Sequence, residues 1–250
     1  MIWLIPPRIG LGCLKSVIKI FYIMNKKQLL QLLQLCNSSL PLGAYSYSEG
    51  LETLVENHKI TDGDSLKSWL STELKYGSIR IECSIVLRAY HSYLQQDLDS
   101  LLYWNNWFSA NRETAELRQQ SWQMGRSLLK LINSFEIDNI FLQTVINHLK
   151  ISSNYSIVFG IITAYWSIKI EQVILGYLHN WLNNLISVGI KLIPLGQTQG
   201  QKLLLSFHEQ IIQQIPIILS LKDEDLCSCS WGLSLASIQH ENLYSRLFRS

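Results

Sequence analysis

The chain has 250 residues, of which 48% are hydrophobic and only 16% are charged, a composition that excludes disordered and fibrous proteins. Its 21 basic and 19 acidic residues give a net charge of +2 and form no charge runs, so the sequence lacks the basic stripe of a nucleic-acid-binding protein. The five cysteines are odd in number and have no disulfide-framework spacing, which indicates a reducing compartment, the cytoplasm.

The first 23 residues form an apolar segment that prolines and basic residues interrupt: Pro6, Pro7, Arg8, Lys15 and Lys19. No uninterrupted stretch approaches the roughly 18 apolar residues of a membrane helix, and the order of charges does not match a signal peptide. We predict no integral membrane segment. Residues 1–23 are interpreted as an upstream extension, from a misassigned start before Met24, or else as a weak interfacial anchor. We expect their removal to leave folding and partner binding intact, since residues 24–250 form the predicted domain.

Helical periodicity begins directly after this extension. Apolar residues at helical spacing predict a first helix with one buried face, made of Leu29, Leu32, Leu33 and Cys36. Residues 37–39 end that helix, so the segment from Ser39 to Glu52 is predicted to connect two helices. The next helix is predicted to begin with Asp64 or Ser65 as its N-cap.

The most secure predicted helix follows Arg112. Steps of four, three, four and three place five residues on one stripe: Leu117, Ser121, Met124, Leu128 and Leu131. Glu113 and Glu116 are placed in its first turn, where carboxylates complement the helix dipole.

The C-terminal half also reads as helical. Residues 156–168 are apolar on every face but too few to span a membrane, which predicts a central buried helix. A second helix follows and stops at Pro194, and a third is predicted from Gly196 to Pro216. Because strand patterns are nearly absent, we predict an all-α fold, a single-domain helical bundle.

Two catalytic templates fail on their spacing. A nucleophile elbow needs glycine two residues before its serine, but Ser46 holds that position before Ser48. A phosphate loop needs four residues between its glycines, whereas three separate Gly196 from Gly200, and Gln201 precedes Lys202. We therefore interpret the two glycines as relieving crowding at a helix start.

Metal ligands are also poorly grouped. Cys227, Cys229 and His240 could bind a soft metal transiently, but structural sites need four well-spaced ligands. We predict no catalytic, cofactor-binding or metal-binding residue in this chain. The remaining polar residues are concentrated in three places: the 39–52 loop, the segment around Arg112 and the glutamine-rich turn after Pro194. Such residues are typical of a surface that binds a partner protein, but they are equally typical of ordinary loops and helix caps.

Four blocks of sequence are similar to the urease accessory protein family UreF. They are "LPLGAYSYSEGLE" (40–52), "NRETAELRQQSWQMGRSLL" (111–129), "YLHNWLNNLISVGIKLIPLGQTQGQKLL" (177–204) and "ASIQHENLYSRLFRS" (236–250). The resemblance runs in order over about residues 24–250, and residues 1–23 depart from the pattern.

The resemblance implies an all-helical, dimeric and non-enzymatic protein of the cytoplasm. Its implied partners are UreD (also called UreH), the GTPase UreG and the urease apoprotein, and the complex delivers nickel to the urease active site. GTP would be bound by UreG rather than by this chain. The alternatives left open are a peripheral membrane or generic helical adaptor protein and, less favoured, a hydrolase.

The predicted partner-binding residues come from the three polar places and the C-terminus: Tyr45, Tyr47, Glu49, Glu52, Arg112, Gln197, Gln199, Gln201, Lys202, Arg246, Phe248 and Arg249. The last three belong to a segment too short and polar to bury itself. We expect it to dock on the 39–52 loop, whose tyrosines and carboxylates suit a guanidinium. By resemblance, this tail matters in the family and becomes ordered upon complex formation.

Overall fold

The computed structural model describes residues 25–135, 137–149, 152–227, 231–241 and 246–249. In this part of the chain, twelve α-helices and two 3₁₀ turns form one all-α domain, as predicted, and no strand occurs. The helices are α1 (Lys26–Leu35), α2 (Leu51–Glu56), α3 (Gly63–Tyr76), α4 (Ile79–Leu94), α5 (Leu98–Asn111), α6 (Ala115–Asn133), α7 (Ile140–Leu149), α8 (Tyr155–Tyr165), α9 (Ile170–Leu192), α10 (Gln197–Ser206), α11 (His208–Leu219) and α12 (Trp231–His240). The 3₁₀ turns are Ala44–Ser46 and Asp223–Asp225.

Helix α8 is the centre of the fold, which confirms the prediction of a fully buried helix. Every residue from Tyr155 to Ala164 is buried, and the helix packs most extensively against α4 and then α6. At Gly160 an added Cβ would lie 2.6 Å from the carbonyl oxygen of Val86. The absence of a side chain there lets the backbones of α8 and α4 approach closely.

The predicted stripe of α6 is also largely confirmed. Leu117, Ser121, Met124 and Leu128 are buried, whereas Leu131 is half-buried. Thr114 caps the helix, because its hydroxyl accepts the N–H of Leu117 at 3.2 Å. Glu116 therefore lies in the first turn as predicted, but Glu113 precedes the helix.

The predicted buried face of α1 is confirmed for Leu32 and in part for the half-buried Cys36, but it is wrong for Leu29 and Leu33. Leu32 and Leu35 are buried, but Leu29 and Leu33 are 43% and 58% exposed. Leu32 packs where α9 carries Gly176, and a Cβ added at that glycine would lie 2.9 Å from Leu32 Cδ1. Packing against α9 therefore determines which face of α1 is buried, and the spacing of the leucines alone does not predict it.

Two predicted helix ends also differ. Helix α3 is capped by Asp62, whose Oδ1 accepts the N–H of Ser65 at 2.8 Å, rather than by Asp64 or Ser65. The single helix predicted to end at Pro216 is two helices, α10 and α11, which meet at Phe207. Pro216 lies inside α11, where its missing N–H costs one helical hydrogen bond.

Among the helices of the described ranges, none combines the length and the apolar character needed to cross a membrane.

Candidate functional site at the docked tail

The last described residues of the chain, 246–249, which we call the tail, lie against the loop that precedes α2. The two carboxylate oxygens of Glu52 accept the backbone N–H groups of Leu247 and Phe248 at 2.7 and 3.1 Å. The N–H of Arg249 donates to the carbonyl oxygen of Ser46 at 2.8 Å. Three successive backbone amides of the tail are thus bound by the segment between residues 46 and 52.

Local backbone geometry places Glu52 for this contact. Glu49 and Gly50 have φ of 51° and 78°, and these two successive left-handed residues turn the chain from the 3₁₀ turn into α2. A non-glycine residue in this region is uncommon and carries a conformational cost. Glu52 then lies in the first turn of α2, where the helix dipole favours a carboxylate.

His240, at the end of α12, connects Glu52 to a second carboxylate. Its Nε2 lies 3.0 Å from Glu52 Oε2, and its Nδ1 lies 3.1 Å from Glu116 Oε2. The second oxygen of Glu116 accepts a hydrogen bond from the Arg246 guanidinium at 3.0 Å. The imidazole is completely buried, while the side chain of Arg246 keeps 40% of its surface exposed.

The side chains of the tail divide between buried and exposed. Phe248 is buried, and Lys191 Nζ at the end of α9 lies 5.4 Å from its ring centroid. The Arg249 side chain hydrogen-bonds Tyr47. Burial raises the pKa of Tyr47, and Arg249 opposes part of that rise. Leu247 remains 66% exposed, so the docked tail presents an apolar side chain next to the partly exposed Arg246.

We call the residues that hold the tail the cradle: Ser46, Tyr47, Glu52, Glu116, Lys191 and His240. Of the predicted site residues, the structure thus brings together Tyr47, Glu52 and the three from the tail. The detail differs from the expectation, because Arg246 pairs with Glu116 rather than with a carboxylate of the loop. Tyr45 belongs to the 3₁₀ turn, and its side chain lies outside the described part of the chain.

Glu49 faces away from the tail, into an inner polar cluster. Its two oxygens accept hydrogen bonds from the Gln120 amide at 3.2 Å and the Trp181 indole at 3.0 Å. Burial, and after it the negative charge of Glu82, raise the pKa of Glu49 to about 7, although the hydrogen bonds from Trp181 and Gln120 and the charge of Arg112 oppose part of the rise. The expectation that Glu49 meets the tail is not met in this structure.

Arg112 also lies in this inner cluster, not on the surface. It is 7% exposed, forms an ion pair with Glu82, and stands 5.3 Å from the ring centroid of Phe108. Burial lowers the pKa of Arg112, but the neighbouring carboxylates, first of all Glu82, raise it by more. The Tyr177 hydroxyl completes the cluster by donating to Glu82 at 3.0 Å.

A cavity of about 40 Å³ lies inside the inner cluster. Its walls include both carboxylates, Glu49 and Glu82, together with Gln120, Tyr177 and Trp181. A volume of this size suits one or two water molecules rather than an organic ligand.

The glutamine-rich turn forms a separate surface. All four predicted residues there are exposed: Gln197, Gln199, Gln201 and Lys202. The Gln199 side chain accepts the N–H of Gly196 at 3.0 Å and so caps α10. A Cβ added at Gly200 would lie 2.4 Å from Ile190 Cδ1, so the prediction that glycine relieves crowding is confirmed there, against α9; at Gly196 it is wrong, because the nearest atom to an added Cβ is Gln199 Oε1 at 3.6 Å.

Of the three candidate metal ligands near the C-terminus, the structure describes Cys227 and His240. Cys227 is exposed, Cys229 lies outside the described residues, and both nitrogens of His240 face carboxylates. Within the described ranges, no group of three or more histidine, cysteine, aspartate or glutamate residues is placed to hold a metal ion.

Several site residues were missed by the sequence reasoning: Ser46, Glu82, Glu116, Gln120, Tyr177, Trp181, Lys191 and His240 in its cradle role. Glu116 was recognised only as a helix-start residue, and His240 only as a candidate metal ligand. The contacts of His240 span 188 and 124 positions, and no local spacing indicates such pairs.

Comparison with known proteins identifies a consistent set of relatives. The model of the UreF family matches residues 60–208. The urease accessory protein UreF of Nostoc sp. is 53% identical over 221 residues, which cover 88% of this chain and 95% of that protein. UreF of Microcystis aeruginosa is 52% identical over 228 residues, 91% of this chain and 100% of the relative. UreF of Pseudoalteromonas translucida is 36% identical over 224 residues, covering 89% and 94%.

Proposed function

The chain belongs to the UreF family, and we propose that it is a non-enzymatic scaffold for urease maturation. In this proposal it joins UreD (also called UreH), the GTPase UreG and the urease apoprotein, so that nickel reaches the urease active site. The names of its relatives support the role in urease maturation, and the similarity extends over nearly the full length of both chains.

The observation that carries the proposal is the docked tail. Glu52 and Ser46 fix its backbone, while Leu247 and the Arg246 guanidinium remain exposed. A partner that binds this segment does not have to order a free chain, and such pre-organisation increases affinity. An exposed leucine next to a partly exposed arginine suits a partner surface that combines an apolar pocket with a carboxylate.

A scaffold role also fits the chemistry of the cradle. Each carboxylate and the imidazole serve to hold one segment of the chain on another. We propose that this chain carries no cofactor, that UreG binds GTP, and that nickel is handled by the assembled complex in the cytoplasm.

The glutamine-rich turn is proposed as a second contact, for a second copy of this chain or for UreD. Gln197, Gln201 and Leu205 are spaced four residues apart on α10, which places them on one face of the helix, and all three are exposed. Amide groups beside an exposed leucine suit a polar interface with an apolar centre.

Co-purification tests this proposal directly. The tagged full chain is expressed with UreD, UreG and the urease apoprotein, and the captured proteins are identified after size-exclusion chromatography. We expect a complex that contains all partners and two copies of this chain. Capture of none of them under these conditions would contradict the scaffold role.

A further inference from the structure

We propose that His240 is a proton-dependent latch, whose imidazolium form holds the tail in the cradle and whose deprotonation loosens it. The inference does not rest on the proposed function, because it concerns an equilibrium within the single chain. It starts from the geometry of one completely buried imidazole between two carboxylates.

Both ring nitrogens of His240 face acceptors. Nε2 lies 3.0 Å from Glu52 Oε2 and Nδ1 lies 3.1 Å from Glu116 Oε2. A neutral imidazole has one N–H and one lone pair, whereas the imidazolium has two N–H donors. With an ionised carboxylate at each nitrogen, only the imidazolium makes two favourable contacts; the neutral ring would direct a lone pair at an oxygen about 3 Å away.

The charges around His240 also favour its imidazolium form. Glu52 and Glu116 each contribute one negative charge, and Arg246 contributes one positive charge at Glu116. The imidazolium brings this group of four to neutrality, whereas the neutral ring leaves an uncompensated negative charge in a largely buried place. Uncompensated buried charge is strongly unfavourable, while a fully hydrogen-bonded group can offset the cost of desolvation.

The proton on His240 is coupled to the tail through shared oxygens. Glu52 Oε2, which faces His240, also accepts the N–H of Phe248, and Glu52 Oε1 accepts the N–H of Leu247. Glu116 likewise shares its two oxygens between His240 and Arg246. A carboxylate that moves away from a neutral ring must therefore distort or break a contact to the tail.

Three elements contribute the charged groups that contact His240 or its carboxylates, while Lys191 of α9 and Arg249 lie at Phe248 and Tyr47 instead. Helix α2 contributes Glu52, α6 contributes Glu116, and the tail contributes Arg246. Because only the doubly protonated ring satisfies both carboxylates, we expect the docked tail to be firmer at lower pH and to loosen as the pH rises.

Hydrogen exchange on the full chain tests the latch. The exchange of C-terminal peptides containing Leu247 and Phe248 is measured by mass spectrometry from about pH 6 to about pH 9, and each rate is divided by the intrinsic rate at that pH. We expect protection of these amides to fall at least about fivefold over this range. Protection that does not change with pH in the wild-type chain would overturn the proposal.

Variants separate the latch from general effects of pH. His240→Gln keeps one donor and one acceptor but cannot take up a proton, so we expect weaker protection that no longer depends on pH. The matched control is His148→Gln, because His148 is exposed and its ring hydrogen-bonds the carbonyl oxygen of Thr144 on its own helix. That control should keep the wild-type pH dependence; a wild-type response in His240→Gln would contradict the latch.

A second measurement does not depend on whether His240→Gln folds. Nitrogen-15 NMR of the imidazole in the wild-type chain distinguishes two protonated ring nitrogens from one. We expect the doubly protonated signature for His240 while the tail amides are protected, and its loss together with that protection. A neutral ring with a fully protected tail would refute the inference.

Discussion

Glu52 and His240 are 188 positions apart in the sequence, and Glu52 Oε2 lies 3.0 Å from His240 Nε2 in the structure. The same carboxylate accepts the amide groups of Leu247 and Phe248. One side chain in the first turn of α2 therefore ties the end of α12 and the tail to the 39–52 loop. The cradle around it is the surface on which the proposed scaffold role depends.

Arg246→Ala should weaken recruitment of UreG while leaving thermal stability nearly unchanged. The ion pair with Glu116 is partly exposed, and such a pair contributes about 1 kcal/mol or less to stability. Pull-down of UreG and a melting curve measure the two effects. Lys222→Ala removes an exposed ion pair elsewhere and serves as the control; undiminished UreG binding by Arg246→Ala would count against the tail as its contact.

Glu49→Gln should stabilise the chain at alkaline pH and have little effect at pH 5. Since burial raises the pKa of Glu49 to about 7, the folded chain holds this proton more tightly than the unfolded chain does. The contribution of Glu49 is therefore fully present below its ordinary pKa and is lost as the pH rises through about 7. Glutamine, which resembles the protonated carboxyl, should add on the order of 1–2 kcal/mol at pH 8.

Urea unfolding of this variant at pH 5 and pH 8 measures the difference. Glu56→Gln, exposed at the end of the helix that follows Glu49, is the matched control and should show no such change with pH. A Glu49→Gln variant that is less stable than the wild type at pH 8 would show that the ionised carboxylate is favourable in the inner cluster.

Gly160→Ala should destabilise the fold by about 1–3 kcal/mol, because the new methyl group would press against the backbone of α4. Gly232→Ala on α12 is the control, since nothing lies within 4 Å of its added Cβ. In a helix, that substitution should be neutral or stabilising by about 0.5–1 kcal/mol. Urea midpoints for the two variants give the comparison, and equal midpoints would contradict the close contact of α8 with α4.

Gln201→Ala should weaken either self-association or co-purification with UreD, because Gln201 lies on the exposed face of α10. Sedimentation velocity measures the first property and affinity capture the second. Gln213→Ala, exposed on α11, is the matched substitution and should change neither. If Gln201→Ala behaves as the wild type does in both measurements, this face of α10 is not an interface.

Periodicity was a good guide where burial alone decides the structure. The sequence predicts which residues of α8 and α6 are buried, because their apolar positions must be covered by whichever helices pack against them. Helix α1 shows the limit, since its leucines could bury more than one face and α9 selected the face that contains Leu32. Pro216 shows a second limit of sequence-based prediction. It was expected to end a helix, but a helix can continue past a proline when packing contacts offset the one missing hydrogen bond.

The candidate site was only partly predictable for a different reason. The tail and the 39–52 loop could be paired from their complementary polar groups, and Glu52 and Phe248 do meet around the cradle. Glu116 and His240 carry no local pattern that links them, because they are 124 positions apart and meet only once the chain has folded. Arg112 was predicted to contact a partner because nothing in the neighbouring sequence indicates its ion pair with the half-buried Glu82.

Nickel loading of urease tests the central claim most directly. The gene for this chain is deleted in a urease-positive host, and the activity and nickel content of the purified urease are measured with and without complementation. The scaffold role predicts urease that is formed but nearly free of nickel and activity in the deletion strain, with both restored by the full chain. Wild-type nickel content and activity in the deletion strain would contradict it.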